Sequence, residues 1–317
     1  YGQASEYLTI PTGEYPLFVP SNAATQPTQT TALDNLSVIT LTAATSDNYG
    51  NAIASAGDVN GDGYDDILIG AWGYDGNAGL VHLFYGNLTS IASTPITLTG
   101  GTEGDAFGTS VSSAGDVNGD GYADVIIGAL GAAAAYVYYG SAQGLSADPD
   151  VILYGESGES YGSSVATGGD INGDGFADVL VAADGWNGSI GRVLVYMGSA
   201  AGLATTPAIT LTGEGLPGSD LGGAEFGAAV GTAGDVNNDG YSDIIIGADG
   251  YDGFRGAALV YYGSPAGDLI TYTLLTGAAP MDNFGWAAGT AGDVNNDGYA
   301  DVIVGADLYD NGETNEG

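Results

Sequence analysis

The chain has 317 residues, 57 of them glycine, and carries 39 acidic side chains against two basic ones, for a formal net charge of −37. That balance excludes nucleic acid and anionic lipid as partners, because no basic stripe exists to displace their counterions. The absence of cysteine excludes disulfides and thiol chemistry, and no apolar run is long enough for membrane insertion.

Residues 1–33 read as an N-terminal extension. Tyr15-Pro-Leu-Phe-Val19 is a short strand, and residues 20–33, rich in Thr, Gln, Pro and Ala, are a flexible linker. A start at Tyr1 without a leader pattern reads as a processed or excised product. Residues 34–317 read as one domain of internal repeats, at about 49–100, 107–155, 161–213, 226–277 and 284–317. Each repeat opens on an aromatic–glycine pair and a run of small residues: Tyr49-Gly50, Phe107-Gly108, Tyr161-Gly162, Phe226-Gly227 and Phe284-Gly285. An acidic nonapeptide follows, then a β-branched second strand such as Ile67-Leu-Ile69 or Val125-Ile-Ile127. After a Gly-rich turn comes a third strand ending in glycine: Val81 to Gly86, Tyr136 to Gly140, Val193 to Gly198 and Leu259 to Gly263. A polar alternating fourth strand closes the unit, as in Pro95-Ile-Thr-Leu-Thr99 and Ala208-Ile-Thr-Leu-Thr212.

Four short strands per repeat, bounded by Gly and Asp/Asn turns, describe a propeller blade, and the fold class is all-β with five four-stranded blades. The last repeat reaches Gly317 where its third strand is due, while Val38-Ile-Thr-Leu-Thr42 matches the fourth-strand pattern. Residues 15–42 are therefore expected to complete the fifth blade and remove its open edge. Two alternatives stay open. The chain is part of a larger ring, or its N-terminal strand is donated to a neighbouring subunit, giving self-association.

The nonapeptide Asp-x-Asn-x-Asp-Gly-(Tyr/Phe)-x-Asp occurs five times, with starts 58, 54, 65 and 58 residues apart. Its oxygen-bearing positions are Asp58, Asn60, Asp62, Tyr64 and Asp66 in the first copy, and Asp116, Asn118, Asp120, Tyr122 and Asp124 in the second. The third has Asp170, Asn172, Asp174, Phe176 and Asp178; the fourth Asp235, Asn237, Asp239, Tyr241 and Asp243; the fifth Asp293, Asn295, Asp297, Tyr299 and Asp301. Side chains at positions one, three and five of a tight loop converge, glycine at six makes the turn, and seven offers its backbone carbonyl. Such an all-oxygen set suits Ca²⁺, giving about five sites. Position twelve is Ile or Val inside a strand rather than an acid, which rejects a helix–loop–helix calcium motif. The bland reading is a set of solvated Asp/Asn/Gly turns. Against it, unpaired carboxylates about 4 Å apart repel by about 4 kcal/mol at an effective dielectric near 20, and the arrangement recurs five times.

Aromatic–Gly, small run, Gly-Asp-Val-Asn-x-Asp-Gly-Tyr-x-Asp, then Val-Ile-Ile-Gly-Ala resembles the FG-GAP repeat of integrin α-subunit propellers, a repeat also found in bacterial surface proteins. Phe107 through Ala129 and Phe226 through Ala248 carry the pattern most fully, and the likeness covers roughly residues 36–317. The resemblance implies a propeller with Ca²⁺ in the loop between the first two strands of each blade, and an extracellular or cell-surface role in adhesion or assembly, with protein or glycan partners. Family propellers have seven blades, whereas five repeats are readable.

Trp72, Tyr74, Trp186, Tyr251 and Tyr309 follow the second strands and are candidate ligand contacts, for which a carbohydrate-binding lectin is the alternative function. Packing against the adjacent blade is the competing reading, and the one preferred for these residues. Arg192 and Arg255 are expected to pair with nearby acids, and His82 to be structural. With no lysine base, cysteine nucleophile, histidine triad or phosphate loop, the chain reads as a non-enzyme, a polysaccharide-active enzyme being the more distant alternative.

Overall fold

A computed structural model of the chain describes residues 47–87, 90–92, 94–216 and 223–309. The expected strands at 15–19 and 38–42 and the linker between them lie outside the described residues.

The fold is all-β. Four antiparallel sheets of four strands follow one another, each in the order in which its strands occur in the chain. The first sheet is built from Ile53–Gly57, Asp66–Ala71, Leu80–Phe84 and Ile96–Thr99. The second has Phe107–Gly115, Asp124–Ala129, Ala134–Tyr138 and Val151–Tyr154. In the third they are Tyr161–Gly169, Asp178–Ala183, Arg192–Tyr196 and Ile209–Thr212. The fourth contains Phe226–Gly234, Asp243–Ala248, Ala257–Tyr261 and Tyr272–Thr276. A fifth sheet shows two strands among the described residues, Phe284–Gly292 and Asp301–Ala306. The expectation of five complete four-strand units is thus met by four, and the segment expected to supply the rest is the one not described.

The first strand of each sheet packs against the first strand of the next, from sheet one through to sheet five. Second strands therefore have both faces covered, which is why they are near-continuous runs of Val, Ile and Leu rather than alternating ones. In sheets two, three and four every residue of the second strand is buried. Ile303 of sheet five is 64% exposed, whereas its counterparts Leu68, Ile126, Leu180 and Ile245 are at 0%.

Third strands begin one or two residues earlier than the sequence suggested and stop two residues short of the glycine. The physical reason lies in the glycine's N–H. At Gly86, Gly140, Gly198 and Gly263 it leaves the strand ladder and donates to an aspartate of the acidic loop. The turn after the second strand is a tight four-residue bend at Tyr74–Asn77, Trp186–Ser189 and Tyr251–Phe254. Its second residue has positive φ (Asp75, Asn187, Asp252), so it cannot propagate as a helix.

Candidate metal centres in the acidic loops

Each nonapeptide links the end of a first strand to the start of a second, and the register is the same in every sheet. Gly57 pairs with Asp66, Gly115 with Asp124, Gly169 with Asp178, Gly234 with Asp243 and Gly292 with Asp301, each after a bulge. The bulge ends the ladder and turns the chain into the loop.

In the second copy, Asp116 is the hub. Its Oδ1 accepts N–H bonds from Gly119 (2.7 Å) and Asp120 (3.1 Å), and its Oδ2 accepts one from Gly121 (2.8 Å). Asn118 Oδ1 accepts from Asp120 N (2.9 Å), and Asp120 Oδ1 accepts from Tyr122 N (3.0 Å). Asn118 Nδ2 donates to Asp120 Oδ2 at 3.0 Å. The bonds from Asp62, Asp174, Asp239 and Asp297 back to positions one and three repeat in the other copies. Positions one, three and five are therefore folded into one turn. Gly121 at position six has φ +89 with nothing within 4 Å of a would-be Cβ, as the open turn requires.

Position nine is held elsewhere. Asp124 Oδ1 accepts from Gly140 N at 2.8 Å and Oδ2 from Val117 N at 2.9 Å. Asp66, Asp178 and Asp243 are fastened by the same pair of bonds, and Asp301 by that from Val294. Asp66, Asp124, Asp178 and Asp243 are fully buried. Burial, and behind it the carboxylates at positions five and one, raise all four above the ordinary aspartate range, Asp124 to about 7 and Asp178 to about 6. A nearby cation is the element that would relieve that cost.

The donor chemistry fits a hard cation: carboxylates, an amide oxygen and a backbone carbonyl, with no sulfur or imidazole. Among the described residues no three Asp, Glu, His or Cys side chains already converge as a finished ion cage. In the loops the carboxylates accept backbone N–H groups; Asp116 Oδ1 accepts two, whereas Asp116 Oδ2, Asp120 Oδ1 and both Asp124 oxygens accept one each and keep a lone pair to offer.

Of the candidate ligand aromatics, Tyr251 and Trp186 join cores that neighbouring sheets share. Tyr251 is 6% exposed within the core. Trp186 packs beside the core with the Arg192 guanidinium 5.4 Å from its ring centre. It lines a cavity of about 420 Å³ together with Glu156, Glu159 and Asn187. Tyr309 lines one of about 450 Å³ beside Phe284 and Val304. Trp72 is half-buried and Tyr74 exposed. His82 sits in the third strand, 3.2 Å from Tyr49 Oη, and burial holds its pKa below the usual value. Arg192 pairs with Glu159 (2.5 Å) and Arg255 with Asp252 (2.9 Å), as expected. Not anticipated was the carboxyl pair of Asp249, 2% exposed, and Glu225. Its only sequence signal is an Asp just past the second strand, recurring as Asp184 and Asp307.

Against this geometry, the family model for the FG-GAP-like repeat matches residues 58–127, 116–181 and 170–246, and that for the FG-GAP repeat matches 284–317. The chain belongs to the FG-GAP repeat family. Among curated relatives, integrin alpha-V of Gallus gallus is 32% identical over 253 residues, covering 73% of this chain and 23% of that one. Integrin alpha-8 of Gallus gallus is 30% identical over 249 residues, covering 74% and 22%. Integrin alpha-4 of Xenopus laevis is 33% identical over 168 residues, covering 50% and 16%. The chain thus spans less than a quarter of the length of these FG-GAP relatives.

Solved structures similar in fold include rhamnogalacturonan lyase YesW, at 14% identity and a TM-score of 0.42, covering 81% of this chain and 55% of that one. The Bacillus licheniformis rhamnogalacturonan lyase is at 15% identity and a TM-score of 0.38, covering 81% and 53%. The expectation of a non-enzyme meets a contrary finding: these similar structures are themselves lyases. At such identity they transfer no catalytic residue to this FG-GAP chain. No helix among its described residues is long and apolar enough to cross a membrane.

Proposed function

We propose that the chain is an adhesion-type FG-GAP propeller segment of a cell-surface protein, its sheets held by Ca²⁺ in the acidic loops. One observation carries the reading: in all five copies positions one, three and five are folded into one turn. The likeness to integrin alpha chains supports a surface role with protein partners. Position one, three and five oxygens and the position-seven carbonyl would hold the ion, with position nine adding its remaining lone pair. When bound, the ion supplies two positive charges among three carboxylates, cancelling their repulsion at a loop that joins two strands. A chain of net charge −37 needs such compensation to stay compact.

The test is thermal melting of the full chain with EDTA, then with added Ca²⁺ or Mg²⁺. The melting temperature is expected to fall sharply with EDTA and to return with Ca²⁺, more fully than with Mg²⁺. Melting indifferent to all three sinks the reading. For adhesion, beads coated with the chain should bind a cell surface in Ca²⁺ and release in EDTA.

A further inference from the structure

Each of the first four acidic loops is fastened to the loop of the following sheet. The carbonyl of position one accepts the N–H of position eight in the next copy. These bonds are Ala123 N to Asp58 O (3.1 Å), Ala177 N to Asp116 O (3.0 Å), Ser242 N to Asp170 O (2.9 Å) and Ala300 N to Asp235 O (2.9 Å). The carbonyl of position two accepts the N–H just beyond the next sheet's third-strand glycine. Ser141 donates to Val59, Ser199 to Val117 and Ser264 to Ile171, at 3.0, 3.0 and 3.1 Å.

The position-seven ring reaches backwards as well. Gly61, Gly119 and Gly173, at position four, have φ between +72 and +75, and a Cβ on each would lie 2.6 Å from the ring of Tyr122, Phe176 and Tyr241 respectively. Each ring therefore lies against the backbone of the preceding loop, in a space that only a glycine leaves open.

The position-one aspartate is the hub of its own loop, and its backbone is held by the next one. Ordering one loop thus fixes part of its neighbour, and a second ion meets a site whose conformational cost is already partly met. We infer that adjacent loops take up Ca²⁺ cooperatively, with the rings of Tyr122, Phe176 and Tyr241 acting as positioning residues for the loops before them. The inference rests on the calcium reading above. The fifth loop stands apart. Val294 is 58% and Tyr299 44% exposed, whereas Val59, Val117 and Ile171 are at 0%. Among the described residues no sheet follows it.

The test uses the full chain, with Ca²⁺ titration by calorimetry and hydrogen exchange read loop by loop at sub-saturating Ca²⁺. Phe176→Ala removes the ring from Gly119 and leaves every oxygen of loop 170–178 in place. The Ca²⁺ concentration that protects residues 116–124 is expected to rise about fivefold or more, with loop 293–301 unchanged. Phe176→Tyr, which installs the residue found at this position in the other four copies, should keep protection at the wild-type level. If Phe176→Ala does not fold, Asp174→Asn weakens the ion site of loop 170–178 from the solvent side. Loops 116–124 and 235–243 should then lose apparent affinity more than loops 58–66 and 293–301. Protection at 116–124 that ignores both variants, in a chain that binds Ca²⁺, overturns the coupling alone. A wild-type chain that takes up no Ca²⁺ overturns the calcium reading and the coupling together.

Discussion

Asp124 Oδ1 accepts the N–H of Gly140 at 2.8 Å, so one carboxylate joins the acidic loop to the end of the third strand of its sheet. Its second oxygen holds Val117 N at the start of the loop. Asp124→Ala would leave two buried N–H groups without partners, at a cost of about 2–5 kcal/mol. Denaturant unfolding in EDTA should show this loss for Asp124→Ala and only a small effect for the exposed Asp120→Ala. With Ca²⁺ present, Asp120→Ala should also become destabilising. Equal effects of the two variants in EDTA would mean that position nine has no structural role of its own.

Glu159 is 5% exposed and has Arg192 as its ion-pair partner, whereas Arg255 and Asp252 are 29% and 47% exposed. Removing one partner of a buried pair strands the other charge. Arg192→Ala should therefore cost about 2–4 kcal/mol, while Arg255→Ala should cost less than about 1 kcal/mol. Urea unfolding of the two variants side by side is the check, and a reversed order would refute it.

Asp249 is raised to about 7 by burial and, behind it, the Glu225 carboxyl. In the unfolded chain an aspartate titrates near 4. Between those values the folded chain holds one more proton than the unfolded one. The contribution is full below about pH 4 and is lost as pH rises through about 7. Asp249→Asn, which imitates the protonated side chain, should flatten the fall in stability between pH 5 and 8. Melting curves of wild type and variant across that range, both in excess Ca²⁺, measure the difference. Parallel curves would show that Asp249 is ionised throughout.

Self-repulsion among 39 acids is screened by salt, since the Debye length shrinks from about 30 Å at 0.01 M to about 3 Å at 1 M. Raising NaCl over that range should lift the melting temperature of the EDTA-treated chain by more than that of the Ca²⁺-loaded chain. Equal shifts would indicate that the loops gain no compensating charge from calcium.

The nonapeptide's spacing, the β-branched second strands and the aromatic–glycine pairs were legible in the sequence because each is a local rule. An alternating or apolar run fixes a strand, and Asp-x-Asn-x-Asp-Gly fixes a turn, whatever lies around them. Asp66, Asp124, Asp178 and Asp243 were legible as acids of the loop but not in their partners. Those lie 16 to 20 residues downstream at the third-strand glycines, and only folding brings them together. Tyr122, Phe176 and Tyr241 show the same division. The sequence marked an aromatic at position seven, and the packing of one sheet on the next sent its ring to the preceding loop. Local pattern determined the strands, the turns and the oxygen donors. Which donor faces an ion, which is tied to backbone N–H groups, and which ring steadies which loop were decided by contacts between distant residues, whose energies exist only once the sheets are packed.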